Sequence, residues 1–379
     1  MRAGRRLIFA AIVGMLFLAG CGKKIDIKND FGNNEEQKLS VTTTAEPLPT
    51  ETVAAETNVP LLKTSEQDLI INLTPNMYTY DDMVYDIGQL AKLYGGTVSC
   101  SELCNTADGR VVHDLIVGNP NSGNGMIIVG AMHAREYITT QVVMRQLCSC
   151  IDAINGFGGE YKGVPTKELL ENTVIHFIPM SNPDGVTISQ LGAEGLKSDD
   201  LKTSIVSMTN DYEQWKANAR GVDLNRNFDA GWDEYSGSSR PSPERYKGTA
   251  PGSENEADAL IKLTQSAGIK RTISYHTCGA LIYWYYKQEG DVRERSLGFA
   301  RAISNVTGYP LDSDYTAVDA AGYKDWAVYR LGIPSLTIEV GNETGRGIIN
   351  PVPISQFDAI WQRNRDVPFA AAYNLQYEV

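Results

Sequence analysis

Residues 126–140 read Met126-Ile-Ile-Val-Gly-Ala-Met-His133-Ala-Arg135-Glu136-Tyr-Ile-Thr-Thr140, and the change of character within this stretch decides the fold. Met126 to Ala131 is a short, unbroken apolar run, the pattern of a strand buried on both faces. The polar cluster His133-Ala-Arg135-Glu136 follows at once, where helical spacing begins, so ionisable groups stand at the carboxyl end of a strand. A histidine and a glutamate three apart on one tight turn can aim an imidazole nitrogen and a carboxylate at one point. Those are the first two ligands of a zinc ion, with a third to come from elsewhere. Taken alone, the same pair also suits a plain hydrogen bond at a helix N-terminus, where a glutamate is favoured in any case.

Upstream, Thr79-Tyr-Asp-Asp82 has the form of a capping box, and Met83, Val84, Ile87, Leu90, Ala91 and Leu93 recur at helical spacing until Gly95-Gly96 ends them. Val111 to Val117 alternates as a strand, and Asn119-Pro-Asn-Ser-Gly-Asn124 is a turn. Downstream, Glu136 to about Ile151 is helical by spacing, Thr173 to Met180 is a second strand, and Ser181-Asn182-Pro183-Asp184-Gly185 is a turn by composition. Residues 186–222 give weak signals and predict a long surface excursion, and residues 229–252 an irregular loop. Glu254 to Ala267 predicts a helix, Arg271 to Tyr275 a strand with His276 directly after it, Leu281 to Tyr286 a further apolar run, and Asp291 to Val306 a helix. Asp325 to Leu331 is a short helix, Ser335 to Val340 a strand carrying Glu339, and Ile354 to Tyr373 a closing helix. Strands alternate with helices and several are too apolar to face water, which implies an α/β domain with its sheet covered on both faces.

The amino-terminal segment is of another kind. Arg2, Arg5 and Arg6 precede the apolar run Leu7 to Ala19, which falls short of the roughly 20 residues of a membrane span and is expected to be an export signal. Its ending, Leu18-Ala19-Gly20-Cys21, resembles a bacterial lipobox. That resemblance implies removal of residues 1–20, lipid on Cys21, and an exported protein anchored to the outer face of a bacterial membrane. Residues 21–68 are polar, with Phe31 their only aromatic, and are expected to form a disordered tether to a catalytic domain over 69–379. A formal net charge of −12 argues against a nucleic-acid partner and against electrostatic membrane binding. Setting Cys21 aside leaves an odd number of cysteines, among which Cys100 with Cys104 is the local disulfide candidate. A zinc site built from four cysteines is not expected, because Cys148 and Cys150 fall inside an amphipathic helix. The domain is expected to act as a monomer.

His133 and Glu136, Asn182, His276 and Glu339 all fall at the ends of successive expected strands, the edge where open α/β sheets bind ligands. His113 and His176 lie within strands and are read as structural. In order, His133-x-Arg135-Glu136, Asn182-Pro-Asp-Gly, Gly221-Val-Asp-Leu-Asn225-Arg226-Asn-Phe, the lone His276 and Thr337-Ile-Glu339 resemble the motifs of the zinc carboxypeptidases, the carboxypeptidase A-like metallopeptidases, over nearly all of residues 75–375. The resemblance implies an α/β/α sandwich around a mixed, mostly eight-stranded sheet, and one zinc ion per chain. Position by position it implies His133, Glu136 and His276 as metal ligands with a fourth position open to water. It implies Glu339 as the general base that takes a proton from that water and passes it to the leaving amine. Read without the family, an acid beside Thr337, Ile338 and Val340 is a strand residue in an ion pair. Asn225 and Arg226 match the pair that holds the free carboxylate of the released residue, a role suited to the planar fork of arginine, and Arg135 matches an auxiliary carboxylate contact. The arginine that polarises the scissile carbonyl falls in the short segment Trp215 to Arg220, where Arg220, taken here, competes with Lys216. Tyr315 is taken as the tyrosine that closes over the substrate, with Tyr323 as its competitor.

Within the family, Trp215 to Phe228, Gly322-Tyr-Lys-Asp-Trp326 and Ile333 to Gly341 look most like the bacterial branch that cleaves the γ-D-glutamyl-diaminopimelate bond of cell-wall peptides. A peptidoglycan stem peptide is therefore the expected substrate. Lys324 matches the residue at the bottom of the pocket for the released side chain, and its charge implies a released residue bearing a carboxylate. Its alternative is a helix-end lysine paired with Asp325. The competing functions are an exported carboxypeptidase that trims ordinary peptides, acidic ones included, and a zinc-free wall-binding module on the same scaffold.

Overall fold

The structure is a computed structural model, and the residues described are 72–378 apart from 267, 314–319, 344 and 346–348. The expectations for the signal, for Cys21, for the whole tether and for Tyr315 lie outside the described residues. The first helix, α1 (Tyr80–Tyr94), starts with the expected reciprocal cap. The Thr79 hydroxyl accepts from the Asp82 amide, and the Asp82 carboxylate accepts from the Thr79 amide.

Eight strands form one mixed sheet: β1 (Val98–Asn105), β2 (Val111–Gly118), β3 (Gly125–Val129), β4 (Val174–Ile178), β5 (Ile269–Thr277), β6 (Leu281–Tyr283), β7 (Leu311–Asp312) and β8 (Ser335–Val340). Their order is β1-β2-β4-β3-β5-β8-β6-β7. The four central strands β4, β3, β5 and β8 are parallel, while β1 and β2 at one side and β6 at the other pair antiparallel. The helices that follow are α2 (Ile138–Asp152), α3 (Thr166–Glu171), α4 (Pro183–Leu191), α5 (Asp199–Met208), α6 (Asn255–Thr264), α7 (Gly290–Thr307), α8 (Tyr323–Leu331), α9 (Phe357–Asn364) and α10 (Val367–Tyr377).

β3 divides the molecule into its layers. Met126 and Ile128 join Leu147 of α2, Phe299 of α7 and Ala371 of α10 in one core, while Ile127 and Val129 join Leu260 of α6 and Trp326 of α8 in another. Every residue of the strand is buried, as the unbroken apolar run requires, and the result is an α/β/α sandwich. Each fully buried aliphatic here contributes about 1.5–3 kcal/mol, so the strand that leads into His133 is firmly anchored. At its end Gly130 admits no larger residue, because a Cβ there would stand 2.6 Å from the carbonyl oxygen of Pro179.

Residues 186–222 are not the expected surface excursion. The Asn182 side chain caps α4 through the Gly185 amide with Pro183 in the first turn, Ser198 caps α5, and Trp215 is fully buried in a third core with Ile188, Leu196 and Ile205. Both helices are short and carry Ser, Thr, Gly or Asp among their apolar residues, which blurs the helical period. Edge strand β1 went unread for a related reason, since most of its residues are exposed and polar. The closing helix is split into α9 and α10, with Pro368 in the first turn of the latter. None of the five described cysteines forms a disulfide. Cys100 and Cys104 lie four residues apart along β1, which separates their α-carbons by about 13 Å against a bridging limit of about 7 Å. Among the described residues no helix is long and apolar enough to cross a membrane.

Glu256 on α6 is a buried acid with a measurable consequence. Burial first, then the charges of Asp184 and Glu254, push its carboxyl from 4.5 up to about 7. A raised carboxyl pKa means that the folded protein holds the proton more tightly than the unfolded chain, so stability falls as pH rises from about 4.5 to 7 and levels off above. Glu256→Gln keeps the shape and removes the titration. The variant is expected to lose up to about 3 kcal/mol of the difference in unfolding free energy between pH 5 and pH 8, measured in urea. An unchanged difference would show that Glu256 is ionised in the fold.

Candidate active site

β3 and β5 are parallel neighbours, so their carboxyl ends bring His133 and His276 to one edge of the sheet. Beyond β3 a single 3-10 turn, Ala134–Glu136, folds Glu136 back towards His133, and the Ala134 amide donates to the Lys216 carbonyl over 3.0 Å. His276 is not beyond its strand but inside it, because β5 continues to pair with β8 as far as Thr277. In that register His276 lies directly opposite Glu339.

His133 Nδ1 is 3.0 Å from Glu136 Oε1, His276 Nδ1 is 3.0 Å from Glu136 Oε2, and the two Nδ1 atoms are 3.1 Å apart. All three residues are buried. The Thr277 amide donates to Glu136 Oε2 and fixes the carboxylate. On the other side of its ring, His133 Nε2 is 3.2 Å from Asp223 Oδ1. An ionised carboxylate can only accept, so Nε2 carries the proton and the Nδ1 of a neutral ring turns a lone pair towards Glu136. Electron-rich atoms facing one another at that distance repel unless a cation lies among them. Two imidazole nitrogens and a carboxylate are a zinc donor set, and the outer carboxylate that fixes the tautomer is the usual support of such a set, so the residues fit a zinc ion.

The charges agree with this reading. Burial alone would raise the Glu136 carboxyl, but the surroundings of His133, Lys216 and His276 hold it well below the usual carboxylate range. Burial is likewise outweighed at Asp223, which is lowered by His133, Arg226 and Lys216. Glu339 goes the other way: burial and then the negative charge of Glu136 push it up to about 7, against the opposing charges of His276, Lys216 and Arg226. Its Oε2 is shut off from solvent and lacks a hydrogen-bond partner. A carboxylate poised near neutrality with an unused acceptor is equipped to take up a proton.

The remaining expected residues are placed unequally. Arg220 is turned away, its side chain half exposed and 3.9 Å from Glu254, whereas Lys216 is mostly buried with its ammonium 3.7 Å from Glu136 Oε1. The cation that faces the site is therefore Lys216, because residues 218–221 form a hydrogen-bonded turn that directs Arg220 outwards. Asn225 accepts from the Tyr323 amide at the start of α8, and Arg226 lies over the Tyr235 ring, close enough for its charge to act on Asp223 and Glu339. Arg135 donates to the main-chain and side-chain oxygens of Gln214. Lys324 is nearly buried, and Asp325 and the Tyr285 carbonyl bind its ammonium, the pairing that the sequence left open. An incoming carboxylate would compete with Asp325. Tyr323 is packed between Phe228 and Trp326 with its hydroxyl bonded to Thr264, which removes it as a closing tyrosine. Asn182 is a buried strut whose amide donates to the carbonyls of Met132 and Ala217. His176 is bonded to Asp114. Asp223 is the contributor that the motifs contained without revealing its role; its only sequence signal is an acid two residues before Asn225.

Residues 83–367 match the zinc carboxypeptidase family. Gamma-D-glutamyl-L-diamino acid endopeptidase 1 of Lysinibacillus sphaericus is 30% identical over 302 residues, which is 78% of this chain and 72% of that protein. Metallocarboxypeptidase A of Trichophyton rubrum is 27% identical over 303 residues, covering 74% of this chain and 67% of the relative. Among solved structures, thrombin-activatable fibrinolysis inhibitor superposes with a TM-score of 0.63 at 23% identity over 84% of this chain and 80% of its own, and carboxypeptidase A from Helicoverpa armigera with 0.58 at 18% over 79% and 75%. These last two likenesses concern the fold. The family match spans the sheet and the whole constellation of His133, Glu136, His276 and Glu339, and the chain belongs to the zinc carboxypeptidases.

Proposed function

We propose that this zinc peptidase hydrolyses the bond between a γ-linked D-glutamyl residue and a diamino acid in cell-wall peptides. The observation that carries the chemistry is the β5–β8 register, which sets Glu339 opposite His276 and beside the only cluster of potential metal ligands among the described residues. A zinc ion held by His133, Glu136 and His276 supplies Lewis-acid activation of the scissile carbonyl and of water. Glu339 accepts the proton of the attacking water and returns it to the leaving amine. Lys216 faces the oxygen on which negative charge develops, Asp223 holds His133 in its productive tautomer, and Asn225 with Arg226 receives a carboxylate of the released residue. Support for the substrate comes from the 30% identity to the Lysinibacillus sphaericus endopeptidase. The lipobox-like Leu18-Ala19-Gly20-Cys21 followed by a polar segment supports a lipid-anchored enzyme working beside peptidoglycan.

The test is digestion of purified stem peptides with and without a chelator, followed by mass spectrometry. The products expected are a peptide ending in γ-linked glutamate and one beginning with the diamino acid, formed only when zinc is present. Stepwise loss of single C-terminal residues from ordinary peptides, with stem peptides untouched, would give the enzyme a carboxypeptidase role instead.

A further inference from the structure

A cavity of about 670 Å³ has Arg135 and Gln214 in its wall, and nothing in the chemistry above uses it. It begins at Arg135, the chain neighbour of Glu136, and its far wall is the loop that carries Ser238, Ser242 and Arg245. This wall is tied to the catalytic segment. The Pro243 carbonyl accepts from the amides of Lys216 and Ala217, and the Arg245 amide donates to Asp223 Oδ2 over 3.1 Å while Asp223 Oδ1 faces His133. Arg245 pays for this position with a φ of 66°, a left-handed backbone that an L side chain seldom adopts. The Arg245 carbonyl also accepts from the Ser238 amide, so the residue is held at both ends.

The two arginines of the cavity differ in what they have to spare. Arg135 is bonded to Gln214 and stands 3.9 Å from Glu244, which offsets its charge. Arg245 is exposed and has no ion-pair partner among the described residues. An unpaired guanidinium on the wall of a cavity that reaches the chain neighbour of Glu136 is arranged for a carboxylate of the substrate.

We infer that this cavity is an acyl-side subsite in which Arg245 binds the free α-carboxylate of the γ-linked glutamyl residue. The inference rests on the proposed substrate. A glutamyl residue joined through its side-chain carboxyl necessarily keeps its α-carboxyl free, roughly 5 Å from the scissile carbonyl for a fully extended side chain of ~1.5 Å bonds. Ordinary α-linked peptides carry no such group at that point. Arg245 is thus a specificity residue that touches the retained part of the substrate, and Lys216 and Glu339 act on the reacting atoms.

The experiment is calorimetric binding of two acyl-side ligands to the full zinc-loaded protein, L-alanyl-D-glutamate and its α-carboxamide analogue, L-alanyl-D-isoglutamine. The parent is expected to bind the α-carboxylate form at least about tenfold more tightly. Arg245→Gly is the informative variant, because glycine accepts a φ of 66° without strain and removes the side chain with its guanidinium. It should bind both ligands equally, and Arg245→Lys should recover part of the preference. A preference that is absent from the parent, or that survives unchanged in Arg245→Gly, would overturn the subsite. The failure of the substrate reading looks different: a parent that hydrolyses no γ-linked peptide yet shows an Arg245-dependent carboxylate preference keeps the subsite and loses the proposed reaction.

Discussion

Glu339→Gln is expected to lower kcat by roughly 10³-fold or more while zinc content and thermal stability stay close to those of the parent. The substitution is nearly isosteric and removes only the ability to accept a proton. Glu339 makes no hydrogen bond through Oε2, so the fold loses no partner there, and the neighbouring negative charge of Glu136 is relieved rather than orphaned. Loss of turnover with retained metal separates a proton acceptor from a ligand. A variant with near-parental kcat would show that the proton leaves by another route.

Lys216→Met should cost about 10²–10³-fold in kcat, the usual consequence of losing a charge aimed at a developing oxyanion, whereas Arg220→Ala should stay within about threefold of the parent. The contrast follows from placement, with one cation 3.7 Å from Glu136 and the other half exposed beside Glu254. Lys216 also lowers the pKa of Glu339. Its removal should therefore raise that pKa, and the acidic limb of the rate profile should move to higher pH as the base form appears later. The reverse ranking of the two variants in steady-state kinetics would return the polarising role to Arg220.

The sandwich was legible because the strands that build it have distinctive sequences. Met126 to Ala131 is too apolar and too short to be anything but a strand buried on both faces, and Ser335 to Val340 coincides with β8 to the residue. The ligand set was legible for a related reason, since each member follows or ends such a strand. What stayed hidden depends on pairing and on side-chain direction. That His276 sits within β5 opposite Glu339 is a property of register, which no single strand encodes. Whether Lys216 or Arg220 faces the metal side is set by the turn at residues 218–221 and by the Pro243 carbonyl that holds residues 216 and 217, a contact from a loop more than twenty residues away. Whether the Lys324 side chain meets its neighbour Asp325 was open in the sequence, because it depends on side-chain direction. The short helices α4 and α5 bury Trp215 from a stretch whose composition suggested a loop, and only their third core explains it.

Metal analysis paired with a zinc titration tests the central claim most directly. Chelator-stripped parent protein should recover peptidase activity in proportion to added zinc, with the plateau at one zinc per chain, and His276→Ala should bind less than about a tenth as much zinc at the same free concentration and recover no activity. Full activity in the stripped protein, or equal zinc in parent and His276→Ala, would contradict a zinc centre built from His133, Glu136 and His276.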